Sequence, residues 1–166
     1  MRLFLLRHAH ASDTFPDSER QITSRGFGQI RKLSAALDAS IFADLVEVWH
    51  SPYARARQTA QEFANLKSIS APLREVKTLR PDDSPFDIAK EVAMVSSFGG
   101  DLLIVGHNPH LEALADLLLN CHDSTCKTTF QKCSLAMFVM TERATSEKPY
   151  GSWALSFLFS PMILSR

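Results

Sequence analysis

The chain has 166 residues, of which 45% are hydrophobic, and 18 basic residues balance 18 acidic ones to a formal net charge of zero. This balance argues against nonspecific binding to nucleic acid or to an anionic membrane, because both usually need a basic excess. No run approaches the roughly 20 apolar residues of a membrane span, and the apolar N-terminus is too short for a signal peptide. We therefore expect a cytoplasmic protein with one domain over residues 1–166.

The first half of the chain alternates predicted strands and helices. Residues 3–6 are consecutive apolar residues, which is typical of a short strand buried on both faces of a parallel sheet. A polar loop follows, and Thr23 is the predicted N-cap of an amphipathic helix. Residues 45–49 predict a second strand. Ser51, with a proline directly after it, then predicts a helix that has Ser51 as its N-cap.

The second half continues the alternation. The connector after the second helix is irregular, with a short strand predicted at residues 74–79, and Ser84 is the predicted N-cap of a third helix. A strand ending at Val105 follows, and a fourth helix is predicted to start at Asn108 and the proline after it. Two closing strands, joined as a hairpin, are predicted at residues 134–140 and 153–159.

This order of elements predicts an α/β fold. Strands that alternate with helices are joined by right-handed crossovers, which give a mostly parallel sheet covered by helices on both faces. We therefore expect a three-layer α/β/α sandwich that ends in a C-terminal hairpin.

The cysteines do not indicate a disulfide framework. Cys121, Cys126 and Cys133 are an odd number in a late segment of the chain. A zinc site formed by these three and His122 would be an alternative, but their spacing matches no common ligand pattern. We expect ordinary reduced cysteines and no metal.

Cationic and imidazole side chains follow the ends of the predicted strands. Arg7 and His8 end the first strand, and His107 follows the strand that ends at Val105. Arg55, which the predicted start makes the fourth residue of the second helix, leans back toward the same edge of the sheet. Open α/β sheets bind ligands at this edge. Guanidinium groups and a helix N-terminus bind phosphate oxygens well, so the pattern predicts a site for a phosphoryl group.

Four motifs between Met1 and about Leu118 then resemble a known family in order and spacing. They are Arg7-His8-Ala9; Asp17, Arg20, Ile22, Thr23, Arg25 and Gly26; Ser51, Pro52, Arg55, Ala56, Gln58 and Thr59; and Val105-Gly106-His107-Asn108-Pro109. The chain resembles the histidine phosphatase superfamily, and within it the small SixA-type phosphohistidine phosphatases. The resemblance implies a phosphoglycerate mutase-like fold.

The resemblance also implies a two-step phosphoryl transfer without metal or other cofactor. His8 would be the nucleophile and would carry the phosphoryl group, while Arg7, Arg55 and His107 would hold the phosphoryl oxygens. An attacking imidazole must be neutral, a form that neighbouring guanidiniums favour. The other ring nitrogen of His8 would need an acceptor, which we predict to be a backbone carbonyl.

Two features depart from the common family pattern. Ala9 replaces the usual glycine after the nucleophile, as in SixA-type members. A glutamate serves as proton donor in larger members, whereas the connector here offers Glu75, Asp82 and Asp83 outside any recognisable motif. Asp82 and Asp83 are weak candidates for a proton donor, and Asp17 in the first loop is another.

Several other polar residues near these motifs have structural interpretations. Arg20 and Arg25 are expected to anchor the first loop through carboxylates, although either could instead reach a phosphorylated partner. His10 and His110 flank the site, and Tyr53 is expected to be a core or wall residue.

Three functions remain open. The favoured one is dephosphorylation of a phosphohistidine-carrying protein domain, because a phosphorylated imidazole leaves without a strong acid and short connectors predict an open site. The second is hydrolysis of a small phosphorylated metabolite. The third is a non-catalytic phosphate-binding module, against which the intact set of Arg7, His8, Arg55 and His107 argues.

Overall fold

The computed structural model of the chain describes residues 1–120 and 128–164. The strands are β1 (Arg2–Arg7), β2 (Leu45–His50), β3 (Leu73–Glu75), β4 (Asp101–Gly106), β5 (Leu135–Glu142) and β6 (Ser152–Phe159). The α-helices are α1 (Ser24–Ala36), α2 (Ala54–Lys67), α3 (Pro85–Phe98) and α4 (His110–Leu118). Within these ranges, no helix has the length and apolar character needed to cross a membrane.

The strands form one six-stranded sheet in the order β3-β2-β4-β1-β5-β6. The four strands β3, β2, β4 and β1 are parallel, whereas β5 is antiparallel to both β1 and β6. Arg7 pairs with Gly106, and His50 pairs with Val105. The carboxyl ends of β1, β4 and β2 therefore meet at one edge of the sheet, and the predicted C-terminal hairpin is confirmed.

Helices cover both faces of the sheet, so the predicted three-layer sandwich is confirmed. Residues 3–6 of β1 are fully buried, and their side chains alternate between the two faces. Phe4 and Leu6 pack with residues of α1 and α2, whereas Leu3 and Leu5 pack with residues of α3 and α4. Burying each such side chain contributes about 1.5–3 kcal/mol. This central strand is thus fixed from both sides just before it delivers Arg7 and His8.

The helix starts were predicted with mixed success. Thr23 caps α1 by accepting a hydrogen bond from the Gly26 amide at 3.2 Å, and Ser84 caps α3, as predicted. The predicted N-cap at Ser51 is wrong, because α2 begins at Ala54 with Tyr53 as its N-cap.

Three further boundaries differ from the sequence prediction. Arg55 is the second residue of α2 instead of the fourth. The fourth helix begins at His110, after the Asn108–Pro109 pair. The short strand of the connector lies at Leu73–Glu75, because Lys77–Leu79 forms a 3-10 turn.

Only part of the cysteine prediction lies within the described residues. Cys133 is a free, buried thiol, and its burial raises its pKa to about 12. Cys121, Cys126 and His122 lie outside the described residues. Inside them, no group of three or more His, Cys, Asp or Glu side chains is arranged to hold a metal ion.

Candidate active site

The carboxyl-terminal edge of the sheet brings His8, Arg55 and His107 into contact. The rings of His8 and His107 lie 4.9 Å apart between centroids. The Arg55 Nε–H donates to His8 Nε2 at 3.3 Å. Arg7 is the last residue of β1, directly before His8, and its side chain is partly buried. The grouping expected from the sequence is therefore present, although Arg55 is the second residue of α2 instead of the fourth.

Backbone hydrogen bonds fix the position of His8. Its amide donates to the Gly106 carbonyl at 2.9 Å, and its carbonyl accepts from the Cys133 amide at 3.2 Å. The next amide, that of Ala9, donates to Thr59 Oγ1 at 3.1 Å. His8 is thus held by β4, by the segment before β5 and by α2, which leaves its main chain little freedom.

The side chain of His8 is also oriented by the backbone. Its Nδ1 lies 2.7 Å from the carbonyl oxygen of Ala9, so Nδ1 carries the proton and donates it to that oxygen. The lone pair is consequently on Nε2, the nitrogen beside Arg55. A backbone carbonyl is the acceptor that the sequence analysis predicted for this ring.

Both histidines are kept neutral. Burial is the main cause that lowers the pKa of His8, to about 3; the positive charges of Arg55 and Arg7 lower it further, against the effect of the Ala9 carbonyl. Burial also lowers the pKa of His107, to about 2, with smaller effects from His8 and Arg55. At neutral pH His8 is therefore an uncharged imidazole, and its Nε2 lone pair can attack once the hydrogen bond from Arg55 is released.

Asp17 holds Arg55 in place. Arg55 Nη1 donates to the Asp17 carbonyl oxygen at 2.6 Å, and Nη2 donates to Asp17 Oδ2 at 2.9 Å. The Arg55 guanidinium also lies over the ring of Tyr53, 5.0 Å from its centroid. Because Asp17 holds both Nη groups, the Nε–H of Arg55 faces His8.

The pKa of Asp17 is lowered, which does not suit a proton donor. Partial burial raises this pKa, but hydrogen bonds from Arg55 and Arg20 outweigh it. Arg20 also pairs with Asp13 at 3.0 Å, which agrees with the anchoring predicted for Arg20, whereas Arg25 makes no ion pair with a described residue. Asp17 is therefore charged and serves as an anchor for Arg55.

Asp82 and Asp83 are the other two proton-donor candidates. Asp83 accepts a hydrogen bond from the Arg80 amide at 2.7 Å, and Asp82 is exposed. In the described part of the chain, neither carboxylate bonds to His8, Arg55 or His107.

Two buried nitrogens of the cluster have no hydrogen-bond partner among the described residues. They are Nε of Arg7 and Nδ1 of His107. The rest of each side chain is fixed: Arg7 Nη1 donates to the Phe130 carbonyl at 2.5 Å, and His107 Nε2 lies 2.8 Å from Ser51 Oγ. Buried polar groups are usually satisfied. Oxygens of a bound phosphoryl group would satisfy these two.

Several positioning residues were not predicted. Ser51 was interpreted as a helix cap, yet its hydroxyl contacts His107. Glu112 accepts from the Phe130 amide at 3.2 Å and thereby supports the carbonyl that binds Arg7. Tyr53, expected to be a wall residue, packs edge-on against His107 with centroids 5.2 Å apart. Glu112 lies in an ordinary amphipathic helix, and no local sequence signal marks it.

Comparisons with known proteins agree with this geometry. The family model described as histidine phosphatase superfamily (branch 1) matches residues 3–81. No curated protein sequence matches the chain significantly. A structure of the protein histidine phosphatase SixA complexed with tungstate has a TM-score of 0.84 and 21% identity, and the match covers 99% of each chain.

Two other solved structures extend the comparison. A structure described as that of phosphohistidine phosphatase SixA from Nakamurella multipartitia is 25% identical with a TM-score of 0.72. The match covers 96% of this chain and 95% of that one. Phosphoserine phosphatase of Entamoeba histolytica, in complex with 3-phosphoglyceric acid, is 15% identical with a TM-score of 0.63 over 96% of both chains. The fold is that of the phosphoglycerate mutase-like proteins, and residues 3–81 of the chain match the histidine phosphatase superfamily.

Proposed function

We propose that the protein is a phosphatase that removes the phosphoryl group from phosphohistidine on a protein, without a metal, through a phosphohistidine intermediate on His8. The orientation of His8 carries this proposal. Its proton is held on Nδ1 by the Ala9 carbonyl, and its Nε2 lone pair lies beside the Arg55 guanidinium. This is the arrangement that a nucleophilic imidazole needs.

In the first step, the Nε2 lone pair of His8 attacks phosphorus. A new N–P bond forms while the bond from phosphorus to the substrate imidazole breaks, and the departing imidazole nitrogen takes a proton from water. Arg7, Arg55 and His107 donate hydrogen bonds to the phosphoryl oxygens as charge redistributes over them. The unpartnered Arg7 Nε and His107 Nδ1 supply two of these contacts.

In the second step, water hydrolyses the phosphorylated His8. The water oxygen bonds to phosphorus, the N–P bond breaks, and the electron pair returns to Nε2. Inorganic phosphate is released and His8 is neutral again. The hydrogen bond from Nδ1 to the Ala9 carbonyl is retained throughout, so the ring has the correct tautomer for the next cycle.

Two observations favour phosphohistidine on a protein as the substrate. First, Asp17 has a lowered pKa and Asp82 and Asp83 make no contact with His8, so a strong acid for an alkoxide leaving group is missing among these candidates. Second, Phe15 is 97% exposed on the loop that carries Asp17. Aromatic residues are enriched where proteins contact one another, so this exposed ring favours a protein substrate.

The alternative is a phosphomonoesterase for a small metabolite. A cleft of about 310 Å³ beside Arg7 favours it, because this volume suits a small molecule. The phosphoserine phosphatase with a related fold is a further reason to test it.

The test is phosphate release from a phosphohistidine-bearing protein domain and from p-nitrophenyl phosphate, without added metal. We expect His8→Ala to lower release from the domain by roughly a thousandfold or more. His10→Ala is the matched control, since it removes a neighbouring imidazole outside the His8 cluster. Hydrolysis of p-nitrophenyl phosphate without phosphate release from the domain would show that the substrates are phosphomonoesters. Equal release by the wild type and His8→Ala would show that His8 is not the nucleophile.

A further inference from the structure

A cationic cleft adjoins the candidate active site. Its volume is about 310 Å³, and Arg7 forms one wall. Arg25 from the first turn of α1 and Lys132 from the segment before β5 also line the cleft, and the remaining lining residues are His10, Gln29, Gln131 and Met162. The cleft therefore combines three cationic side chains with an apolar wall.

The positive charges of the cleft are only partly compensated: Asp13 acts on Lys132 and Glu112 acts on Arg7 through their charges, without an ion pair to either cation. Neither Arg25 nor Lys132 makes a hydrogen bond or an ion pair with any residue that the structure describes. Arg20 and Arg55, by contrast, are both paired with Asp17. Burial lowers the pKa of Lys132, and repulsion from Arg7 and other cations adds to this effect. Holding these unpaired cations together is unfavourable, and a bound anion would relieve it.

The backbone ties this cleft to the phosphoryl site. Lys132 directly precedes Cys133, whose amide donates to the His8 carbonyl at 3.2 Å. Its charge is near enough to His8 to lower the pKa of that imidazole. Arg7 belongs to both places, because it lines the cleft and also lies next to the nucleophile. One ligand could therefore contact both sites at once.

We propose that the cleft is a second anion subsite, which binds a carboxylate of the substrate through Arg25 and Lys132 while the phosphoryl group lies at His8. This proposal rests on the proposed function and narrows its substrate class to proteins with an Asp or Glu side chain beside the phosphohistidine. A planar guanidinium and an ammonium group both bind carboxylates with charge-assisted hydrogen bonds. The apolar Met162 wall is suited to the methylene groups of such a side chain.

The test compares two phosphohistidine peptides that differ only in Glu or Gln next to the phosphohistidine. We expect the wild-type protein to have about a tenfold higher kcat/KM for the Glu peptide. The double variant Arg25→Gln/Lys132→Gln should reduce this ratio to near one. Since both peptides are measured on the same variant, a general change in activity cancels from the ratio.

The matched control is Arg31→Gln/Lys90→Gln, which removes the same charges from exposed side chains outside the cleft. The control should keep the wild-type ratio. Added salt should also weaken the preference in the wild type, because partly exposed charges are screened. The proposed subsite would be refuted if the wild type had nearly equal kcat/KM values for the two peptides. It would also be refuted if Arg25→Gln/Lys132→Gln kept the preference for the Glu peptide.

A second pair of probes separates this proposal from the proposed function. O-phosphoserine and O-phosphoethanolamine differ by one carboxylate and contain no phosphohistidine. If neither peptide is hydrolysed but O-phosphoserine is preferred over O-phosphoethanolamine in an Arg25- and Lys132-dependent way, the subsite is supported and the protein substrate is overturned. If the peptides are hydrolysed with no preference in either pair, the proposed function is retained and the subsite fails.

Discussion

The buried neutral histidines should make the protein sensitive to acid. The pKa values of His8 and His107, about 3 and about 2, lie far below the ordinary value of 6.5 that applies in the unfolded chain. Below pH 6.5 the unfolded chain therefore binds protons that the folded protein does not. The neutral histidines therefore contribute their full stability above this pH, and that contribution is lost as the pH falls toward the folded-state pKa values.

The size of the effect follows from these pKa values. Between pH 7 and pH 5, the unfolded form of each histidine becomes almost fully protonated, while the folded form stays neutral. Linkage then gives a loss of about 2 kcal/mol in the free energy of unfolding for each group. We expect His107→Gln to lose about 2 kcal/mol less than the wild type over this range, measured by urea unfolding at both pH values.

Ser51→Ala is the control for this measurement. It removes the hydroxyl that contacts His107 Nε2 but keeps the imidazole that titrates. Its stability should be lower at both pH values, with the same loss between them as the wild type. If His107→Gln and the wild type lose the same free energy between pH 7 and pH 5, the reasoning from buried neutral histidines is refuted.

Three further predictions concern the first loop and α1. Asp17→Asn should lower kcat/KM about fivefold for phosphohistidine and for p-nitrophenyl phosphate alike, since the 52% exposed carboxylate contributes about 1 kcal/mol to holding Arg55. Phe15→Ser should raise KM severalfold for a phosphohistidine protein and leave hydrolysis of p-nitrophenyl phosphate unchanged, in parallel steady-state assays. Gly26→Ala should destabilise the fold by about 1–3 kcal/mol in urea unfolding, because its new Cβ would lie 2.2 Å from the His10 carbonyl oxygen.

Each of these predictions has a distinguishing result. A much larger loss for Asp17→Asn on O-phosphoserine, whose alkoxide leaving group needs a proton, than on p-nitrophenyl phosphate would make Asp17 a proton donor after all. Equal effects of Phe15→Ser on both substrates would remove the argument for protein docking. Gly28→Ala is the control in α1, because nothing lies within 4 Å of its added Cβ; equal stability of the two alanine variants would contradict the close contact at Gly26.

The central part of the fold was predictable because its signals are local. Four buried residues, 3–6, are consecutive and apolar, and the cap at Thr23 is a single side chain with its partner three residues away. The motif residues His8 and His107 directly follow strands, so strand order alone brings them together. These features depend on short stretches of sequence that a pattern can reveal.

The supporting contacts were not predictable in the same way. Ser51 has the local signature of a helix cap, and its hydroxyl accepts from the Tyr53 amide at 3.3 Å, but it also contacts His107, 56 residues away. Lys132 and Arg25 are far apart in sequence and meet only because β5 is paired beside β1. Such contacts depend on the packed arrangement of several elements, which spacing within one segment does not report.

The central claim, that His8 carries the phosphoryl group, is tested most directly by trapping the intermediate. A phosphohistidine peptide labelled with ³²P is mixed with the protein, quenched in base within the first turnover, and the labelled site is mapped. The account predicts an acid-labile, base-stable label on His8 that is absent from His8→Ala and present in His10→Ala. Phosphate release without a labelled protein, or with the label on another residue, would contradict it.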